Sequence, residues 1–206
     1  MIIGLVGNSG TGKDWVAINQ LVRRAFVPIA FGDELKLIGI MEGVGTYDEF
    51  FNTKPAHIRD WMQRRGTEEG RDVFGQDCWI RAAKARMKLD AERYGISNRV
   101  FTDVRFMNEF HFLKGELGAL MLYIDNPTRA ETSILTENQR EHVSESKVPV
   151  LKSLCDGVLL KEAPFSAYLD WQVNFHLERA GMKDPWFAGA VPDSSMRQAL
   201  IRGMFE

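Results

Sequence analysis

Near the amino terminus a lysine follows three glycines at a spacing that suits a phosphate chain: Gly7-Asn8-Ser9-Gly10-Thr11-Gly12-Lys13, with Asp14 next. Glycines let successive backbone N–H groups turn inward around bound phosphates. A helix opening at the end of the loop adds its partial positive charge. Lys13 supplies a mobile point charge for the β- and γ-phosphates. The pattern G-x-x-x-x-G-K of a P-loop is complete, and Asp14 stands where serine or threonine usually follows the lysine. A carboxylate there offers magnesium a hard oxygen. Asn8, Ser9, Gly10, Thr11, Gly12, Lys13 and Asp14 are therefore the candidate phosphate and metal ligands.

The elements around the loop have the required order. Ile2 to Val6 reads as a buried strand, and a helix follows the loop. Its expected apolar side is Trp15, Val16, Ile18, Leu21 and Val22; its polar side is Asn19, Gln20, Arg23 and Arg24. Further strands are expected over 26–31, 99–103, 119–124 and 157–160. Helices are expected over 35–41, from Thr53-Lys54-Pro55, from an Asp77 cap to Tyr94 with a stop at Gly95, and over 108–114, 165–180 and 194–205. The polar stretch 66–75 reads as a loop. This alternation predicts an α/β domain of the P-loop type, a parallel five-stranded sheet with helices on both faces. Its core is 1–31, 96–127 and 150–181, with a helical insert over 32–95, a short lid over 128–149 and a tail over 182–206. Ligands in such sheets sit at the carboxyl ends of the strands, where the loop, Asp33, Asp103 and Asp125 fall.

The insert carries Lys36, Arg59, Gln63, Arg64, Arg65 and Arg71. Arginine forks bind phosphate oxygens in pairs, and a glutamine can read a base edge. Arg129 and Arg140 follow the fourth strand, where a closing lid would carry an arginine that neutralises a transferring phosphoryl. The composition excludes several other classes. A net charge of −2 over 206 residues argues against a nucleic-acid backbone as a stable partner. Cys78 and Cys155 lie far apart, and His57, His111, His142 and His176 are scattered, so no zinc spacing occurs. No apolar run is long enough to span a bilayer and no signal precedes Ile2, which leads to the expectation of a cytoplasmic protein without a membrane partner. The Trp186-to-Phe205 stretch could serve as the interface of a homodimer. Three readings stay open on these residues. They are a kinase of nucleoside monophosphates, a kinase of another small phosphorylated acceptor, and a nucleic-acid-stimulated ATPase or nucleotide-binding regulatory module.

Four motifs in order resemble the bacteriophage deoxynucleoside monophosphate kinases. They are Gly12-Lys13-Asp14; Arg59-Asp60-Trp61-Met62-Gln63-Arg64-Arg65-Gly66-Thr67-Glu68, with Arg71 and Trp79 beyond; Asp103-Val104-Arg105, with Asn108-Glu109; and His142-Val143-Ser144-Glu145. The likeness spans about the first three-quarters of the chain and fades after Ala163. It implies transfer of the γ-phosphoryl of ATP to a deoxynucleoside monophosphate, with magnesium, in the host cytoplasm if the chain is phage-encoded. On that basis Lys13, the loop amides and Arg129 are expected to hold ATP, and Asp14 and Asp103 the magnesium. Lys36, Arg59, Arg71, Asp103 and Arg105 are expected at the acceptor, with Gln63 on its base. Lys13, Arg105 and Arg140 are expected to act on the transferring group.

Overall fold

The structure, a computed structural model, describes residues 1–127, 148–161 and 166–182. Five short runs rich in Val, Ile and Leu become strands β1 (Ile2–Val6), β2 (Val27–Ile29), β3 (Arg99–Val104), β4 (Leu120–Asp125) and β5 (Gly157–Leu160). All pair in parallel, in the order β2-β3-β1-β4-β5. The chain thus starts at the centre, runs out to one edge, and returns past β1 to the other. The end of β1 lies between the ends of β3 and β4, the crevice in which ligands of such sheets bind.

Helices cover both faces. Helix α1 (Lys13–Val16) widens into a π-helical turn, Ala17–Leu21, and ends in a tight turn, Val22–Arg24. With α7 (Ser166–Arg179) it packs Val16, Leu21, Leu169 and Val173 onto Ile3, Leu5, Leu122 and Ile124. On the opposite face α4 (Cys78–Tyr94), α5 (Met107–His111, continuing over Phe112–Glu116) and α6 (Val148–Lys152) cover Phe101, Met121 and Tyr123. Helices α2 (Asp33–Met41) and α3 (Ala56–Gly66) belong, like α4, to the segment between β2 and β3. Among the described residues no helix is long and apolar enough to cross a membrane.

Several local expectations are corrected. In α1 the buried side is Val16, Ala17, Gln20, Leu21 and Arg24, while Ile18 and Val22 face solvent. These positions still share one side of a 3.6-residue projection; the expectation fails because polar Gln20 and Arg24 are taken inside it while apolar Ile18 and Val22 are left outside. Arg24 is satisfied inside by Asn174 Oδ1, at 2.9 Å and 2.6 Å, and by Asp170 of α7. The stretch 66–75 is no loop. Helix α3 continues through Thr67–Arg71 and Asp72–Phe74. Its glycines serve close packing instead: a Cβ on Gly70 would stand 2.9 Å from the Trp79 ring, and Trp79 Nε1 donates to the Gly66 carbonyl at 2.8 Å. The helix after Lys54 starts one turn later than Thr53 suggests, because Glu49–Thr53 forms a turn of its own. Asp77 sits at the head of α4 without a side-chain cap, its carboxylate taken by Asn108 Nδ2 at 2.8 Å. Strand β2 is also shorter than 26–31, since the Ala30 and Phe31 amides donate to the Asp33 and Asp103 carboxylates rather than to a ladder.

Gly39 shows how tightly the insert is packed. A Cβ there would lie 2.2 Å from the ring of Phe50, which is fully buried. Gly39→Ala is expected to destabilise the protein by about 1–3 kcal/mol despite alanine's better helix propensity. Gly115→Ala, which meets open space, is expected to leave stability unchanged or raise it by up to about 1 kcal/mol. Thermal melts of the two variants check the contrast.

Candidate functional site

The glycine-rich loop leaves β1 in a conformation that side chains resist. Gly10 and Gly12 have φ of 82° and 94°, in the left-handed region. Thr11 closes the loop, its amide and hydroxyl both donating to the Asn8 carbonyl, at 3.3 Å and 2.9 Å. Lys13 is buried and folds back across the loop, its ammonium donating to the carbonyls of Gly7 and Asn8 at 2.6 Å and 2.8 Å. The result is a ring of backbone around one ammonium at a helix start. Lys161, just past β5, reaches over the same loop: a Cβ on Gly12 would stand 2.4 Å from its Nζ, which lies 4.3 Å from the Trp15 ring centre. Sequence reasoning passed over Lys161. Its place at the carboxyl end of a strand was the available signal.

A cavity of about 470 Å³ opens beside this loop. Ser9, Gly10, Gly12, Lys13 and Asp14 form one end; Lys36, Arg59, Gln63 and Arg71 line the insert side; Asp103 and Arg105 contribute from the end of β3. Asn8 and Thr11 do not line it but close the loop behind it. Arg129 and Arg140 lie outside the described residues, as do the His142-to-Glu145 motif, nearly all of the expected lid and the Trp186-to-Phe205 tail. Lys54 also lines the cavity and was not anticipated.

The floor depends on an irregularity in β3. The β1–β3 register runs Gly4 to Phe101 but Val6 to Val104, so β3 holds one extra residue, and Thr102 and Asp103 occupy that stretch. Such a bulge re-aims side chains at a strand end. Both residues consequently line the cavity. Asp103 accepts the Phe31 and Gly32 amides at 2.8 Å and 2.9 Å, fixing the corner between β2 and α2. Burial and the Asp33 carboxylate hold its carboxyl above the usual range, against Lys36 and those two amides. Asp14 behaves oppositely: desolvation by the surrounding protein would raise it, but Lys54, Lys13 and Thr102 leave it below the ordinary value. Asp14 thus stays charged, and its side chain is 60% exposed at the cavity.

Arg71 has a second set of partners. It is 4% exposed, donates to Glu109 Oε1 at 2.6 Å and to the Gln76 carbonyl at 2.8 Å, and stacks 3.9 Å from the Phe106 ring centre. Glu109 also accepts the Arg105 and Phe106 amides at 2.9 Å and 3.0 Å. Burial, with Asp103 nearby, pushes the Glu109 carboxyl up to about 7 despite Arg71. Lys36 pairs with Asp33 at 2.7 Å. Among the described residues no group of three or more His, Cys, Asp or Glu could hold a metal. A metal here would rest on one or two carboxylates and on substrate phosphates, a donor set suited to magnesium and not to zinc. Asp14, open and charged, fits that role better than Asp103, both of whose oxygens carry amides.

A scan against models of known protein families finds no match for the chain, and a search of the curated proteins finds none. The geometry of the cavity is therefore the ground for its function.

The Arg71–Glu109 pair yields a test of what Arg71 does for the fold. Folding raises the Glu109 pKa from 4.5 to about 7. The resulting stability is complete below about pH 4.5 and is lost as the pH rises through 7. Arg71→Ala is expected to cost about 3–5 kcal/mol above pH 7, where the buried carboxyl would be charged in the wild type and loses its partner in the variant. It also removes a cation that favours the charged form, so the loss extends to higher pH. Melting temperatures from pH 5 to pH 8 are expected to fall more steeply in the variant than in the wild type.

Proposed function

We propose that this protein is an ATP-dependent kinase of deoxynucleoside monophosphates. One observation carries the reading: a single cavity joins the glycine-rich loop to the insert and gathers Lys13, Lys36, Lys54, Arg59, Arg71 and Arg105 against Asp14, Asp103 and Glu109. A chain of net charge −2 thereby presents a cationic pocket, as two phosphate-bearing substrates meeting end to end would require.

The reaction forms a bond from a phosphate oxygen of the acceptor to the γ-phosphorus and breaks the bond to the bridging oxygen, which leaves with ADP. Such a transfer asks the protein mainly for positioning and charge neutralisation. Lys13 and the amides of the loop bind the triphosphate. Arg59 and Arg105 bind phosphate oxygens from the insert and from the end of β3. Gln63, one turn beyond Arg59 on α3, offers an amide to the acceptor base. Arg71, engaged with Glu109, positions that wall and presents its remaining donor capacity to the cavity. Asp14 would hold magnesium, with Asp103 through water, and the metal when bound neutralises charge on the phosphate oxygens. The expected arginines at 129 and 140 belong to the same proposal. So do a cytoplasmic location and the P-loop assignment of the fold, with its insert and lid.

A coupled assay for ADP release, run with ATP and all common ribo- and deoxynucleoside monophosphates, is expected to show turnover with deoxynucleotides. Turnover that needs DNA and no monophosphate, or another phosphorylated acceptor, would replace this assignment. Lys13→Ala is expected to lower turnover about a hundredfold or more while the protein stays folded. Arg59→Ala is expected to raise KM for the monophosphate about tenfold or more, with a smaller effect on KM for ATP, as loss of a charged hydrogen bond to phosphate predicts. Initial-rate kinetics with each substrate varied in turn check both.

A further inference from the structure

Lys54 ends the Glu49–Thr53 turn with φ 48° and ψ 61°. L side chains seldom adopt this left-handed conformation. Pro55 follows, and a residue before proline is biased toward extended backbone. Among the described residues other than glycine, Ala25 alone shares a positive φ. This unfavourable backbone carries a side chain that lines the cavity, with its ammonium 3.2 Å from Asp14 Oδ2. The two residues stand forty apart in sequence and join the insert to the first turn of α1. Their side chains are 27% and 60% exposed. An ion pair so open to water adds little to stability. The contact therefore does not repay the backbone conformation that makes it, and a strained residue that persists at a ligand cavity points to binding.

Asp14, the carboxylate that Lys54 holds, is the one proposed for a divalent metal. An ammonium and a metal ion repel each other, so each would weaken the other's hold on it. The four-carbon stem of lysine lets the ammonium swing away without moving the backbone, and the insert wall it would swing along carries Lys36 and Arg59. We propose that Lys54 is a displaceable cation, which neutralises Asp14 in the ligand-free protein, yields it to a divalent metal arriving with a nucleotide, and then binds a phosphate oxygen of the second substrate. The proposal rests on the reading of the cavity as a nucleotide site. It makes metal and monophosphate binding promote each other, by the same factor in either direction.

The test uses the full chain and needs no turnover. Manganese(II) is titrated in the presence of ADP and followed by electron spin resonance. Each of the four common deoxynucleoside monophosphates is then titrated calorimetrically, with manganese·ADP and with ADP plus chelator. In the wild type a monophosphate is expected to bind about two- to fivefold tighter with the metal present. Lys54→Met is expected to abolish that difference and to bind manganese about two- to fivefold tighter, since the competing ammonium is gone. Lys54→Arg is expected to keep the coupling. Lys54→Gly accepts the left-handed backbone and replaces Lys54→Met if that variant fails to fold. Unchanged manganese affinity or unchanged coupling in Lys54→Met or Lys54→Gly would overturn the proposal, as would weaker manganese binding. Wild-type manganese affinity in Asp14→Asn would remove both this proposal and the metal role of Asp14. Coupling that behaves as expected in a protein showing no phosphoryl transfer would leave Lys54 in place and sink the kinase assignment instead.

Discussion

The buried ion pair between Arg71 and Glu109 is the constraint on which the cavity depends. Arg71 belongs to the continuation of α3 in the insert, and Glu109 lies in the first turns of α5, after β3. The carboxylate accepts the guanidinium and two backbone amides of the β3–α5 corner. One group thereby fastens the insert to the sheet and shapes the turn that presents Arg105. A buried pair of this kind contributes little net stability against an apolar replacement, but leaving one partner alone is costly. Its value is geometric: it fixes where the insert wall stands relative to the strand ends.

The opposite wall is held by hydrogen bonds of the same kind. Asp103 spends both oxygens on the Phe31 and Gly32 amides and so ends β2 early. The bulge in β3 brings Thr102 and Asp103 together to the cavity. Thr102 in turn helps to hold the Asp14 carboxyl below its ordinary value. The proposed metal ligand, the floor and the insert are thus linked through carboxylates that answer backbone amides and neighbouring cations. Low local dielectric makes such contacts strong when satisfied and expensive when not.

The two carboxylates that differ most in environment also differ in proposed role. Asp14 is open and flanked by lysines, and its charge is favoured. Glu109 is enclosed, and burial raises its carboxyl above the ordinary value although Arg71 favours the charged form. In the proposed kinase the first meets the nucleotide and the second only shapes the wall. Arg71 stands between fold and site, because one guanidinium both lines the cavity and ties the corner together.

The sequence by itself determined the architecture and one end of the site. Apolar runs bounded by glycine and charge located the five strands of the described sheet, most plainly β1 and β4, which are buried on both faces and nearly continuously hydrophobic. The spacing of Gly7, Gly12 and Lys13 located the loop, because only glycine accepts the backbone it needs. Gly95 stopped α4 in the left-handed conformation expected of it. Tertiary structure decided the rest. The buried face of α1 takes in Arg24 because Asn174 and Asp170 of α7 meet its guanidinium there. Gly66 and Gly70 looked like loop glycines until Leu35 and Trp79 were seen packed against them. Arg71 looked like a ligand residue alone until Glu109, thirty-eight positions away, was seen to claim it. Lys54 and Lys161 carried no motif and became part of the site through contacts with Asp14 and Gly12. Each of these depends on which distant group a side chain meets, and local sequence does not encode that meeting; only the packed chain does.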